Sequence, residues 1–327
     1  MTSPARAPEP SLARRARGGA IVAVAIGVVA FALACVARDM RLADVARALA
    51  RQPGGEIAWS LALTAVSFAG LASYDLLGAR LVAKGRVRRR VALLAGATGS
   101  AIANAVGFHA VSGTAVRARI YLAAGLSGAD VARIASLSWL SLFTGNATMF
   151  AVAELLQAAH DARPGVHLAI GLALAGALAL LVAWLARRPR VLAFRGHRLA
   201  MPSAALALAQ MLIGALESGA AIGALYVLLP PDLAPPFSLF AIACIVAVTL
   251  GVVAHVPGGI GVFEASMTAM LAGRGRADLL AALLVYRVVY GALPFALSVL
   301  ALGGLAAARR LAARRAAGRR GDHQVWP

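Results

Sequence analysis

Apolar runs such as Gly19 to Ala37 and Ile57 to Gly78 approach or exceed the roughly 20 residues that an α-helix needs to cross a hydrocarbon core of about 30 Å. They are rich in Ala and Leu and lack period-two alternation, so helical spans are expected rather than barrel strands. Composition argues the same way. Of 327 residues, 61% are hydrophobic and 14% charged, and mean hydropathy is +0.81, which is far too apolar for a water-soluble domain.

The net charge of +19 would suit nucleic acid if the arginines were spread over a folded surface. They are instead placed beside apolar spans, as in Arg86 to Arg90 (RVRRR), Arg187 to Arg190 (RRPR) and Arg309 to Arg320. Such runs meet anionic headgroups and set topology, so no nucleic-acid partner is expected. The two cysteines, Cys35 and Cys244, lie within apolar runs and imply no disulfide framework. The basic start followed by Gly19 to Ala37 has the outline of a signal sequence, but further apolar spans follow it, and it is read as a first membrane helix.

The expected fold class is all-α, a polytopic membrane bundle with spanning helices at 19–37, 57–79, 130–156, 166–186, 203–229 and 279–306. A basic tail, 1–18, precedes this single membrane domain, 19–306, and another, 307–327, follows it. Alternate connections hold 21 of the 32 Lys and Arg residues, and the opposite set holds 7. The richer side is cytoplasmic by the positive-inside rule, which puts both termini in the cytoplasm and the protein in a cell (inner) membrane.

Two regions, Val91 to Gly128 and Phe237 to Gly273, are apolar but broken by glycine, histidine and polar or proline residues. Parity requires each to enter and leave on one side, so each is expected to be a re-entrant helical hairpin. The bends are placed at His109, Ser112 and Gly113, and at His255, Pro257, Gly258 and Gly259. The order helix, hairpin, helix then occurs twice, over 57–156 and 203–306, with opposite topology. Inverted repeats of this kind build transporters around a central site.

Ionisable residues within spans are costly and usually face a partner or a cavity. Asp75, Glu217 and Arg287 lie within expected spans, and Arg117, Arg119 and Glu264 just after the two bends. These six are the candidate site residues, expected to line a cavity between the halves. Each also has a plainer reading. Glu264 would complement the helix start after Pro257 to Gly261, Arg117 would anchor at headgroups, Asp75 would pair with Arg80, and Glu217 would pair with Arg287 or Arg117. His109 and His255 would either relay protons or hydrogen-bond loose backbone. Gly96, Gly99, Gly171 and Gly176 are read as points of close helix approach.

HExxH, P-loop and GxSxG patterns and cysteine pairs at metal spacing do not occur, so neither catalytic residues nor a metal or cofactor is expected. Four segments carry a family likeness: Ser73 to Leu77 (SYDLL), Gly107 to Gly128 (GFHAVSGTAVRARIYLAAGLSG), His255 to Glu264 (HVPGGIGVFE) and Tyr286 to Tyr290 (YRVVY). In these the sequence resembles the flippase-like membrane region of lysylphosphatidylglycerol synthases, which also occurs alone in small membrane proteins. In bifunctional members a cytoplasmic transferase follows this region; the present sequence ends at Pro327 without room for one.

The resemblance therefore implies translocation or binding of a lipid with a polar headgroup, with membrane lipids as partners. Arg117, helped by Arg119, would take the phosphate, and Asp75, Glu217 and Glu264 would offset the arginines or hold an amino group. The alternatives are a membrane subunit working with a separately encoded lipid-modifying enzyme, and a structural scaffold in which the buried charges only join helices.

Overall fold

The computed structural model describes residues 47, 50–106, 109–187, 191–194, 197–200, 202–253, 259, 261–271 and 276–321. The span expected at 19–37 lies outside them. Helix α1, Gly54–Ala83, ends where Lys84 and Gly85 take φ of 45° and 88°, a left-handed turn that feeds α2, Arg89–Val106. Then come α3, His109–Ala123; α4, Gly128–His160; and α5, Gly165–Ala186. A two-stranded antiparallel ribbon, β1 (Val191–Phe194) and β2 (His197–Ala200), pairs Val191 with Ala200 and leads to α6, Ala204–Tyr226. The second half continues with α7, Phe237–Val253, and α8, Val262–Met270. The last helix runs through α9 (Ala277–Tyr286), a π-helical turn (Arg287–Ala292) and α10 (Leu293–Gly321).

Among the described residues, five stretches are long and apolar enough to cross a membrane: 54–83, 128–160, 165–186, 204–226 and 277–308. They match the spans expected at 57–79, 130–156, 166–186, 203–229 and 279–306. The helix of the last span does not stop at 306 but continues to Gly321 through the basic residues from Arg309.

The polarity of α1 is inverted relative to a soluble helix. Ser60, Thr64, Ser67, Tyr74 and Asp75 recur along one face and are buried, while Trp59, Leu61 and Val66 are exposed. On α5 only Gly171 and Leu185 are buried, and Val166 and Leu180 stand more than 70% exposed. Leaving so much hydrocarbon in water would cost about 25 cal/mol per Å², so these faces suit lipid.

The two regions expected to be hairpins each contain a packed helix pair, α2 against α3 and α7 against α8. Ser112 and Gly113, expected at the first bend, instead lie inside α3, which His109 opens; residues 107–108, His255, Pro257 and Gly258 lie outside the described residues. The run GFHAVSG misled because glycine and serine were read as breakers, whereas Gly113 is a contact point in a helix.

Glycines set the closest crossings. A Cβ on Gly145 of α4 would lie 2.5 Å from the Gly214 Cα of α6, so the two backbones touch. Gly96 similarly meets Ala72 and Asp75, and Gly171 meets Leu155. Gly176, read as a fourth such point, has nothing within 4 Å of its Cβ position.

The π turn has a local cause. Pro294 has no N–H to give the Tyr290 carbonyl, and its ring would clash there. The preceding turn widens instead, with Leu293 N–H donating to the Val288 carbonyl five residues back.

Candidate functional site

Asp75 is fully buried on α1 and receives Arg117 of α3. The guanidinium Nε lies 3.0 and 2.9 Å from Oδ1 and Oδ2, and Nη2 lies 2.8 Å from Oδ2. Tyr121 OH donates to Oδ1 at 3.1 Å and Ser138 Oγ to Oδ2 at 3.1 Å, so both carboxylate oxygens are saturated. Arg117 Nη2 also donates to Ser100 Oγ at 3.3 Å.

Two glycines make room for this arginine between α2 and α3. A Cβ on Gly99 would stand 3.1 Å from Arg117 Nη1, and one on Gly113 would stand 2.9 Å from it. The plainer readings paired Asp75 with Arg80 at the membrane surface and anchored Arg117 at headgroups, while the functional reading had Asp75 offset the arginines. Instead Arg80 is exposed, and Asp75 and Arg117 hold each other at 0% and 7% side-chain exposure. Arg119 is exposed, since a step of two residues turns a helical side chain to the opposite side.

Glu217 of α6 lies one turn of α1 away. Ser67 Oγ donates to its Oε1 at 2.9 Å, Tyr74 OH reaches Oε2 at 3.4 Å, and Ser67 Oγ also meets Tyr290 OH at 2.9 Å. Gly70 admits this contact, because a Cβ there would lie 2.7 Å from Glu217 Cβ. The expected partner was Arg287 or Arg117; the arginines are held by Glu264 and Asp75, and hydroxyls converge on Glu217.

Glu264 opens α8. Its Oε2 accepts the Gly261 N–H at 2.8 Å, with Gly261 at φ 82°, and its Oε1 takes Arg287 Nε, while Arg287 Nη2 reaches the Gly259 carbonyl at 3.4 Å. The carboxylate thus caps a helix and fastens it to the π turn. Tyr286 and Tyr290 stack at 5.1 Å beside it, and Phe263 stacks on Tyr286 at 6.4 Å.

Asp75 with Arg117 and Glu217 are therefore linked through the Tyr74–Asp75 step, and Tyr290 connects Glu217 to the turn that carries Arg287. Charged side chains close on one another here rather than lining an open cavity. A groove of about 410 Å³ does exist, but it is apolar, formed by Leu233, Leu239, Ile242, Val246 and Met270 on α7, α8 and the preceding loop.

Ser67, Tyr74, Tyr121, Ser138 and Tyr290 were not singled out in the sequence. The available signal was the run Ser60, Thr64, Ser67, Tyr74 on the face of a span that also carries Asp75. Glu154 was also passed over. It is buried in α4 and its Oε2 lies 2.6 Å from His167 Nδ1, whose Nε2 lies 3.5 Å from Asp161. Arg276, just before α9, joins Asp232 of the loop before α7 at 2.7 Å and Asp278 of α9 at 2.6 Å; the Arg276 hydrogen bond holds the Asp232 carboxyl below its usual range.

Thr64 Oγ1, buried on the same face, makes no hydrogen bond among the described residues. An unsatisfied hydroxyl costs about 1–3 kcal/mol, so Thr64→Val, which keeps the shape, is expected to be neutral or stabilising by about 1 kcal/mol. Thermal unfolding in detergent would show this, and a clear loss of stability would mean that the hydroxyl has a partner.

Over 113 residues the chain is 36% identical to Inner membrane protein YbhN of Escherichia coli, a match covering 34% of this chain and 35% of that protein. Over 100 residues it is 38% identical to an uncharacterized protein of Synechocystis sp., covering 30% of this chain and 31% of the other. The match spans about a third of the length of these curated relatives. No protein-family model matches the chain. The likenesses support a membrane-protein family in general terms. Together with five apolar helices and their outward hydrocarbon faces, they mark a multi-pass membrane protein.

Proposed function

We propose that the protein moves a lipid with a phosphate-bearing headgroup between leaflets, and that the Asp75–Arg117 pair is the gate and receptor for that headgroup. The observation that carries this reading is the pair itself, buried at 0% and 7% exposure inside a membrane bundle. A buried ion pair is seldom the most stable filling for its volume, since apolar residues of the same size are often as good or better. Its retention is accounted for if the arginine must change partners. A guanidinium offers the same planar fork to phosphate as to carboxylate, so an incoming headgroup competes with Asp75 on equal geometry.

In this reading α2–α3 and α7–α8 are re-entrant pairs entering from opposite faces, with both chain ends cytoplasmic. Support comes from their lengths: α3 has 15 residues and α8 has 9, both short of a full crossing. Asp75 stores the arginine when no lipid is bound, and Tyr121 and Ser138 keep the carboxylate oriented while the arginine, still within reach, turns part of its fork to the headgroup. The resemblance to the flippase-like region of lysylphosphatidylglycerol synthases points to the same class of substrate.

Purified protein in liposomes with fluorescent phospholipids in one leaflet tests this. Protein-dependent exchange is expected for phosphate headgroups, and the charge-neutral variant Asp75→Asn/Arg117→Gln, if folded, should lose at least tenfold in rate, about 1.4 kcal/mol. Exchange that is the same without protein, or undiminished in that variant, would sink the reading.

A further inference from the structure

Two buried carboxylates stand side by side in this bundle, and their surroundings differ in kind. Asp75 is met by three guanidinium contacts and two hydroxyl donors, the setting of an ionised group. Glu217, 4% exposed, is met by hydroxyls.

Counting hydrogens separates the two further. Ser67 Oγ supplies Oε1 at 2.9 Å. At Oε2 the Tyr74 hydroxyl is 3.4 Å away, long for O–H···O, and Ser218 Oγ is also 3.4 Å away. Ser218 has a single hydrogen, and Asn146 Oδ1 takes it at 2.7 Å. Tyr290 OH also bonds Glu217, but with the Ser67 hydrogen given to Oε1 the single Tyr290 hydrogen goes into the 2.9 Å contact with Ser67 Oγ, so an ionised Glu217 would leave Oε2 without a close donor. A protonated one completes a directed chain: Oε2–H donates to Ser218 Oγ, and Ser218 O–H donates to Asn146 Oδ1.

The geometry points to Glu217 as a proton-binding site in the membrane core, one that takes up and releases a single proton as the bundle changes state. Release moves the proton from Oε2 to water admitted from one side, and uptake reverses this, with no other bond made or broken. Coupling to lipid movement rests on the transport reading above, whereas occupancy of the carboxyl by a proton does not.

The titratable or charged groups on the surrounding elements are accounted for as follows. Helix α1 brings Tyr74 and Asp75, the latter turned to Arg117; α4 brings Asn146 at this level and Glu154 toward its end, engaged with His167 of α5. The last helix brings Tyr286, Tyr290 and Arg287, which is held by Glu264 of α8, and α7 brings Cys244, buried against Met267. Thr64, one turn before Ser67 on the same buried face, adds an unpartnered hydroxyl beside the route along α1.

Full-length protein in liposomes at neutral pH, read by infrared spectroscopy, gives the test. A C=O band of a protonated carboxylic acid should be present, should vanish in Glu217→Gln, and should persist in the charge-neutral Asp75→Asn/Arg117→Gln. Glutamine keeps the shape and, by donating Nε2–H to Ser218 Oγ, mimics the protonated form, so folding is expected to survive. A band untouched by Glu217→Gln, absent at neutral pH, or replaced by a sodium-dependent signal would overturn the assignment. In the exchange assay the wild type should slow on the alkaline side, approaching about tenfold per pH unit as one proton requires, whereas Glu217→Gln, which can neither take up nor release a proton, should keep only a reduced rate that does not change with pH. If the band behaves as stated while no lipid exchange occurs at any pH, the proton site stands and the transport reading falls.

Discussion

Arg117→Ala is expected to cost about 3–5 kcal/mol of stability, enough to unfold most of the protein in mild detergent, because it strands the Asp75 carboxylate without its countercharge. Tyr121 and Ser138 would remain, but two neutral hydroxyls do not replace a guanidinium at no exposure to solvent. Removing both charges should cost much less. In Asp75→Asn/Arg117→Gln the amides hydrogen-bond with the same hydroxyls and no charge is left buried. Thermal unfolding of the wild type, the single variant and the double variant in detergent decides this. Were the single variant as stable as the double one, the pair would not be the buried ion pair described.

The next largest effect is expected at the α4–α6 crossing. In an exposed helix, replacing glycine by another residue usually gains up to about 1 kcal/mol in helix propensity. At Gly214 the sign should reverse. A Cβ there would lie 2.4 Å from the Gly145 Cα and 2.9 Å from Tyr74 OH, and backbone cannot turn aside as a side chain can. Gly214→Val should therefore cost at least the 1–3 kcal/mol, roughly, of ordinary overpacking, and should also push Tyr74 away from Glu217. Denaturation in mixed detergents would measure the loss. Retention of wild-type stability would mean that the helices separate freely, and that the polar cluster is not clamped.

The spans were legible because hydrophobic length is a property of consecutive residues. Four of the five lie within a few residues of the expected limits, and the fifth departs only by continuing as helix to Gly321. The paired helices within 89–123 and 237–270 were legible for a related reason, since glycine, histidine and polar or proline residues interrupt runs that are otherwise apolar. The bend was misplaced because Gly113 as a breaker and Gly113 as a contact look identical in sequence. Only the packing of Arg117 against it tells them apart.

At the site, all six candidates were chosen for being charged within apolar surroundings, and that criterion cannot assign partners. For Asp75, nearness along the chain offered Arg80 beside the more distant arginines, and its partner is 42 residues away in α3. Glu217 was assigned an arginine by charge, though hydroxyls from α1 and the π turn reach it. Serine and tyrosine, though some lie in the segments that carry the likeness, were given no role at the site because within a span they look unremarkable until their face is known.

The π turn at Arg287–Ala292 has one more consequence. It holds one residue more than an α-helical path would, and in α-helical terms one residue is a rotation of about 100°. The two parts of the last helix are therefore out of phase. Arg287 and Tyr290 are set by the widened turn, while α10 presents a face that a continuous α-helix would have turned elsewhere. The proline four residues after Tyr290 fixes that offset in the covalent chain, so the phase difference does not depend on what the neighbouring helices do.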